Sequence, residues 1–289
     1  MQKTKIIYIC GMGHNGSTAL DLLLNQAEDC VGTSQLNDFL VLYDPFENEN
    51  QRPDFVNSFW SKLANQLTES QRKTLQIANH GVLKEKSLLP FAFSKKRRQQ
   101  YAEINNVVIQ KFQQAHPGKI IVDSSKNISR LLGLLEMKDT DIYVVHLTRD
   151  IRGYVESHNK RRKEHGLSVR FVIPTLVWVA KNAAASLLAK PRAKHYLHVR
   201  YEQMMLDPDE FLTQLGEFVG CSLTSCIPTL KGKSPLTPAN SLGFLGNRVL
   251  QNREDVFLDP ARIRNDGLFK SKLYWYTLGW TARFWGYQR

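Results

Sequence analysis

Three segments of the chain repeat one local pattern, in which a short apolar strand leads through a tight turn into a helix. Strands that alternate with helices predict a mostly parallel sheet with helices on both faces, because parallel neighbours need a crossover connection. In such sheets ligands bind at the carboxyl ends of the strands, so the three turns form the first candidate site. The three units begin near residues 5, 119 and 142.

The rest of the chain fits around this α/β unit as part of one domain. At 289 residues and 42% hydrophobic content, the chain is long enough to bury a large core. Residues 45–115 are helical in pattern, polar and basic, and we expect a helical insert there. Residues 236–289 are rich in aromatic side chains, and we expect a tail that closes over the ligand site. The prediction is a single domain, 1–289, with a P-loop-like three-layer fold.

A formal net charge of +12 favours anionic partners such as nucleotides, nucleic acid, acidic glycans or a membrane surface. No aromatic residues interleave with the basic runs 95–98 and 160–163, so solvated helix faces are favoured over nucleic-acid binding. Lys181 and Asn182 interrupt the longest apolar helix, which argues against a membrane span. The four cysteines form no pair at metal-ligand spacing. We expect a cytoplasmic protein without nucleic-acid or membrane partners.

The turn after the first strand has the composition of an anion-binding loop. Glycines between a buried strand and a helix let the backbone wrap round an anion, and free N–H groups at the helix start point toward it. Serine and threonine hydroxyls add further donors. The candidate ligand-binding residues of this loop are Gly13, His14, Asn15, Gly16, Ser17 and Thr18.

The residue after Gly16, the second glycine of the Gly-x-x-x-x-Gly motif that begins at Gly11, separates two classes of phosphate-binding protein. A P-loop nucleoside triphosphatase places lysine there, whereas this chain has Ser17. The strand that ends at Asp123 is similar to a magnesium-binding strand end, so a P-loop kinase or related phosphotransferase is one alternative. A basic protein that binds polyanions is a non-enzymatic alternative. The loop residue able to carry positive charge is His14, two positions before Gly16.

With this loop the chain resembles the PAPS-dependent sulfotransferase superfamily, in particular its bacterial members. These enzymes move a sulfuryl group from 3′-phosphoadenosine 5′-phosphosulfate (PAPS) to a hydroxyl or amine. The family loop binds the 5′-phosphosulfate and has Lys or Arg where His14 stands. A second family element, a strand ending in arginine with serine eight residues later, binds the 3′-phosphate and is matched by Arg149 and Ser157. The spacing also has a physical reason. A guanidinium at a strand end offers a fork of N–H donors to phosphate, and a serine two helical turns further on the same face adds a hydroxyl.

Three shorter stretches extend the resemblance. Lys126 follows a strand in a segment that, in the family, brings a cation beside the transferring sulfuryl group. Tyr201 matches a stretch near the adenine and the donor phosphates, and Gly246, Asn247 and Arg248 match, in shortened order, a late element at the 3′-phosphate. The resemblance therefore implies PAPS as donor, adenosine 3′,5′-bisphosphate (PAP) as product and no required metal. The tail then closes over the donor site.

The resemblance also implies the catalytic groups. His14 and Lys126 are expected at the bridging and sulfuryl oxygens. Many family members have a glutamate where this chain has Gln35, and a glutamine cannot remove a proton. Asp38, Asp123 and His14 therefore remain the candidate general bases, and His80 is a fourth candidate that ranks behind them because a lone histidine is more often structural. We expect the acceptor to be a small molecule, in particular a hydroxylated metabolite.

Overall fold

The core of the fold is a five-stranded parallel sheet. The computed structural model describes residues 3–42, 54–83, 88–243, 254–259, 275–276 and 279–288. The strands are β1 (Thr4–Gly11), β2 (Cys30–Gly32), β3 (Ile120–Asp123), β4 (Thr140–Thr148) and β5 (His195–Arg200). Their order is β2-β3-β1-β4-β5, and every pair is parallel. The predicted parallel sheet flanked by helices is confirmed, and β2 is an added edge strand too short to show a sequence pattern.

Helices surround the sheet. They are α1 (Ser17–Leu24), α2 (Asp54–Asn65), α3 (Glu69–Leu83), α4 (Leu88–Phe93), α5 (Lys95–Ala115), α6 (Ile128–Leu134), α7 (Ile151–Glu164), α8 (Val172–Ala184), α9 (Tyr201–Leu206), α10 (Pro208–Val219) and α11 (Ile227–Leu230). Shorter helical turns occur at Leu36–Asp38, Lys190–Arg192, Thr224–Cys226 and Gly279–Trp285, and a π-helical turn, Ala185–Ala189, continues α8. Within the described part of 45–115, the elements are α2 to α5.

The central strand β1 is apolar and buried from Ile6 to Cys10, because both faces of the sheet are covered there. Ile6 and Tyr8 belong to the core beneath α5 and α6. Ile7 and Ile9 point the other way, into the core formed with α1 and α10. The alternation of neighbouring residues between two separate cores accounts for an unbroken apolar run in the sequence.

The register of β1 determines where the loops leave the sheet. Gly11 of β1 is level with Leu147 of β4, and Tyr8 is level with Asp123 of β3. The glycine loop and the turns after β3 and β4 therefore emerge along one edge of the sheet. This edge is where ligands bind in parallel α/β folds.

A buried ion pair fixes the turn after β3. Arg130 donates to Asp123 Oδ2 from Nε at 2.9 Å, and its Nη2 lies 2.8 Å from the same oxygen. The amide and hydroxyl of Ser125 both donate to Asp123 Oδ1. Arg130 Nη1 also donates to Tyr101 Oη and Asn105 Oδ1 in α5, at 3.0 and 2.9 Å. The pair therefore ties the turn that carries Lys126 to the helical insert.

Two helix starts differ from what their sequences indicate. Apolar residues recur at helical spacing over 126–136, but α6 begins at Ile128, because Lys126 has a left-handed φ of 62° and Asn127 caps the helix through Arg130 N–H at 2.9 Å. Asp207 precedes the proline that starts α10, as a capping residue would. It stands at the cap position, but its side chain makes no capping hydrogen bond there.

The described part of the aromatic tail packs near the ends of β4 and β5. Tyr287 Oη lies 2.9 Å from the Thr148 hydroxyl and donates to Glu202 Oε2 at 3.1 Å. Trp275 and Trp285 are buried, whereas Trp280 is exposed. Gly246, Asn247 and Arg248 lie outside the described residues.

Replacing Arg130 by leucine is expected to destabilise the fold by about 3–5 kcal/mol, because the Asp123 charge would stay buried without its partner. Urea unfolding measures this change. Arg97→Leu, at an exposed position of α5, is the matched control and should change the free energy of unfolding by less than about 1 kcal/mol. Equal effects of the two substitutions would contradict the role of the ion pair.

Candidate functional site

A cleft of about 790 Å³ opens at the carboxyl edge of the sheet. The glycine loop, the Leu36–Asp38 turn, the turn after β3 and helix α7 supply much of its lining. The predicted site residues that line it are Gly13, His14, Gly16, Ser17, Thr18, Asp38, Lys126, Arg149, Ser157 and Tyr201. Asn15 and Asp123 do not line it. The structure thus brings together ten of the twelve predicted site residues that it describes.

The glycine loop is held by Asn15 and needs glycine at position 16. Asn15 Nδ2 donates to the carbonyl of Leu147 at 2.6 Å, and its Oδ1 accepts the Ser17 N–H at 3.1 Å. Gly16 has a φ of 92°, and a Cβ atom there would lie 2.4 Å from the ring of Tyr201. The Asn15 side chain therefore clamps the loop to β4, and Gly16 allows the close approach of Tyr201.

Arg149 lies directly beside the glycine loop. Its Nη1 donates to the carbonyl of His14 at 3.3 Å, and its guanidinium lies 4.8 Å from the centre of the Tyr201 ring. Ser157 Oγ is 3.4 Å from Nδ1 of His14. The ends of β1 and β4 therefore place the glycine loop, a guanidinium and a hydroxyl around one space.

His14 is neutral at pH 7 in the protein alone. Burial, followed by the positive charge of Arg161, lowers the pKa of its ring to about 4, with smaller contributions from His158, Arg149 and Lys126. A neutral imidazole supplies no fixed positive charge, and a ring with this pKa is a weak base at pH 7. In the ligand-free protein, Lys126 and Arg149 are better placed than His14 to supply positive charge to the cleft.

Asp38 is the predicted carboxylate that faces the cleft with a pKa near neutrality. Burial raises its pKa to about 6, although the charge of Lys126 opposes the shift. Asp123, the other acidic candidate, is held in the buried pair with Arg130. Within the described ranges, no group of three or more His, Cys, Asp or Glu side chains is arranged to hold a metal ion.

Lys126 lies between these acidic groups. Burial lowers its pKa, while Asp21, Asp38 and Asp123 oppose that change and Lys181 adds to it. Its left-handed backbone conformation is uncommon for a residue with a side chain and adds local strain. The acidic neighbours therefore help a partly buried lysine to keep its proton.

Asp21 is a buried acid that the sequence analysis missed. It lies one turn after Ser17 on α1, and a Cβ atom on Gly32 would come within 2.8 Å of its Oδ1. Burial raises the pKa of Asp21 to about 7, and the Ser124 hydroxyl partly opposes this shift. An aspartate within the apolar run Ala19 to Leu24 was the available signal, since a carboxylate rarely occupies a buried helix face without a reason.

Comparison with known proteins assigns the family. A sequence model of the sulfotransferase family matches residues 7–225. The chain belongs to the sulfotransferase family. Sulfuryl transfer is therefore its reaction class, and the matched region contains every predicted site residue except Gly246, Asn247 and Arg248.

Solved sulfotransferase structures share the fold. The sulfotransferase domain of the Synechococcus PCC 7002 olefin synthase is similar over 100% of this chain and 96% of that chain, with a TM-score of 0.60 and 19% identity. The sulfotransferase domain of the curacin biosynthetic pathway is similar over 100% of this chain and 99% of that chain, with a TM-score of 0.51 and 16% identity. A search of curated protein sequences finds no match.

Asp21→Asn is expected to stabilise this sulfotransferase at alkaline pH. Because the folded-state pKa of about 7 lies above the ordinary 3.8, the folded state holds the proton more tightly than the unfolded chain. The stability that this proton contributes is present at low pH and is lost as the pH rises from about 4 to about 7.

Asparagine carries no charge to bury. The variant should therefore exceed the wild type in free energy of unfolding at about pH 8 and match it near about pH 4. Urea unfolding at both pH values provides the measurement, with the exposed Glu69→Gln as control. A difference that does not depend on pH would show that the Asp21 charge is not the cause.

Proposed function

We propose that this sulfotransferase uses PAPS as donor and transfers its sulfuryl group to the hydroxyl of a small acceptor. The observation that carries the proposal is the contact between two strand ends: Arg149 Nη1 lies 3.3 Å from the His14 carbonyl within the glycine loop. One doubly phosphorylated nucleotide can therefore touch the loop at one end and the guanidinium at the other. A P-loop kinase would have lysine where this chain has Ser17, and the family match also favours sulfuryl transfer over phosphoryl transfer.

In this proposal, the glycine loop holds the 5′-phosphosulfate. The hydroxyls of Ser17 and Thr18 line the cleft at the start of α1, where backbone N–H groups favour an anion. The Ser17 N–H is already used by Asn15, so the hydroxyls and the remaining loop amides, from Gly13 to Thr18, supply the donors. Loop amides of this kind stabilise charge without needing a lysine in the loop.

Arg149 and Ser157 hold the 3′-phosphate in the proposed complex. A guanidinium offers two parallel N–H donors to phosphate oxygens, and the Tyr201 ring beneath it limits its orientations. Gly246, Asn247 and Arg248 remain predicted contributors at the same phosphate.

The proposed transfer breaks the bond between sulfur and the bridging oxygen of PAPS while a bond forms from the acceptor oxygen to sulfur. PAP leaves with the electron pair of the broken bond. Lys126 stabilises the negative charge that accumulates on the sulfuryl and bridging oxygens. His14, neutral in the free protein, binds the bridging oxygen as a hydrogen-bond donor, and an adjacent dianion raises its pKa.

Asp38 is the general base in this scheme. It takes the proton of the acceptor hydroxyl as the new bond to sulfur forms. Its pKa of about 6 leaves most of it ionised at pH 7 while keeping it a stronger base than an ordinary carboxylate. Gln35, which lines the same cleft, cannot accept that proton.

The remaining lining of the cleft forms the acceptor side. It includes polar and charged groups from the second half of α7, from the residue that caps its C-terminus and from α8, namely Lys160, Arg161, Glu164, His165 and Lys181. Such a lining favours a polar acceptor, in agreement with the expected hydroxylated metabolite.

Arg149→Ala is expected to weaken PAP binding roughly 10- to 100-fold, because hydrogen bonds to a charged group contribute about 1.5–3 kcal/mol. Binding of AMP, which lacks the 3′-phosphate, should change little. Isothermal titration calorimetry with both nucleotides measures the difference, and Arg97→Ala is the matched surface control. If the wild type bound AMP as tightly as PAP, a 3′-phosphate site at Arg149 would be excluded.

Asp38→Asn is expected to lower kcat about 10²- to 10⁴-fold while PAP affinity is retained. In the wild type, activity should fall as the pH drops through about 6, because the carboxylate becomes protonated. The variant should lose this acidic limb of the pH–rate profile. Asp54→Asn, at an exposed position of α2, is the control, and an unchanged acidic limb in Asp38→Asn would assign the base elsewhere.

A further inference from the structure

Helix α8 carries an exposed apolar stripe. Ile173, Leu176 and Leu187 are 54%, 58% and 71% exposed. At about 100° per residue, the exposed positions Ile173, Leu176, Val177 and Ala180 of α8 fall within a sector of roughly 100°. Leu187 extends the exposed apolar surface onto the π-helical turn. A continuous apolar surface of this kind usually marks an interaction site.

The opposite side of α8 is fixed inside the protein. Trp178 donates from Nε1 to the Arg149 carbonyl at 3.1 Å, and Asn182 Oδ1 lies 2.9 Å from Nε2 of the buried His146. Among the described helices, Val172–Arg192 alone is long and apolar enough to cross a membrane, with a mean hydropathy of 1.5. Because one side of it carries these polar contacts, it is suited to lie on a membrane rather than to cross one.

Exposed aromatic side chains lie on the turn that packs beside the helix. Trp285 stacks edge-on against Trp178 of α8 with ring centres 5.0 Å apart. In the same turn, Trp280 and Phe284 are exposed and lie 6.2 Å from each other. The turn therefore covers the side of α8 that carries Trp178, and the stripe itself consists of aliphatic side chains.

The segment of sequence that contains the stripe is rich in basic residues, one of which, Lys194, lies 3.9 Å from Asp141. Residues 165–201 contain no Asp or Glu. The same 37 residues contain six basic side chains: Arg170, Lys181, Lys190, Arg192, Lys194 and Arg200. Basic residues at both ends of an apolar stripe complement a surface that is apolar below and anionic above, as an acidic lipid bilayer is.

We propose that the stripe on α8, with the basic residues at its ends, docks the enzyme on an anionic membrane surface. A second copy of the chain is the other candidate occupant, but a two-fold interface would bring the same cations of both copies toward each other. An acidic lipid surface instead satisfies both the apolar area and the charge. This proposal replaces the sequence-based expectation that no membrane takes part.

When the stripe lies on the membrane, the cleft is also close to the bilayer. His165 lines the cleft and comes directly before the exposed segment that leads into α8. Lys181, another lining residue, lies roughly 80° around the helix from Ile173. The stripe and the acceptor side of the cleft therefore occupy adjacent sides of one helix.

The test is sedimentation of the full chain with vesicles of phosphatidylcholine containing phosphatidylglycerol, and with vesicles of phosphatidylcholine alone. We expect binding to the anionic vesicles, at least tenfold weaker binding to the neutral ones, and weakening by added salt. The double variant Ile173→Gln, Leu176→Gln should lose binding at least tenfold. Arg192→Gln with Lys194→Gln should lose it severalfold.

Matched controls place the same changes elsewhere. Ile77→Gln with Leu89→Gln removes two equally exposed apolar side chains, and Lys96→Gln with Arg97→Gln removes two exposed cations of α5. These controls should bind as the wild type does. PAP affinity, measured in parallel, verifies folding and tests the donor site independently of docking.

Three results would overturn the proposal. Absence of binding to anionic vesicles excludes the membrane as occupant. Equal losses of vesicle binding in the control variants show that the stripe is not the membrane-binding surface. A wild-type dimer in analytical ultracentrifugation that becomes monomeric in the Ile173→Gln, Leu176→Gln variant assigns the stripe to a second copy of the chain.

Discussion

The parallel register of β1 between β3 and β4 is the constraint on which the site depends. It sets Gly11 level with Leu147 and Tyr8 level with Asp123, so three turns leave the sheet at the same edge. A shift of one residue would also reverse the faces of Ile7 and Tyr8, which belong to two different cores. Core packing and site geometry are therefore consequences of one alignment of strands. The clamp from Asn15 to the Leu147 carbonyl then fixes the glycine loop against that alignment.

Burial decides which groups in the cleft carry charge. The same desolvation that neutralises His14 also raises the pKa of Asp38 and Asp21 toward neutrality. Lys126 lies among these acids, and they oppose the effect of burial on its own pKa. The cleft thus holds a cation and a moderately basic carboxylate close together, an arrangement that suits transfer of an anionic group to a hydroxyl that must lose its proton.

Much of the fold was predictable because it rests on local patterns. The strand–turn–helix units and the pairing of Arg149 with Ser157 depend on spacings within a few turns of chain. The edge strand β2 was missed because three residues show no periodicity. The roles of Asn15 and Asp123 as structural anchors, and the low pKa of His14, depend on partners far away in the chain. The exposed side of α8 was likewise hidden, since apolar composition alone does not distinguish a buried helix from a surface one.

The central claim is that one nucleotide bridges the ends of β1 and β4. A crystal structure of the protein with PAP tests it most directly. The account predicts the 5′-phosphate within hydrogen-bond distance of the loop from Gly13 to Thr18 and the 3′-phosphate within hydrogen-bond distance of Arg149 and Ser157. A nucleotide bound with its 3′-phosphate away from Arg149, or bound outside this cleft, would contradict it.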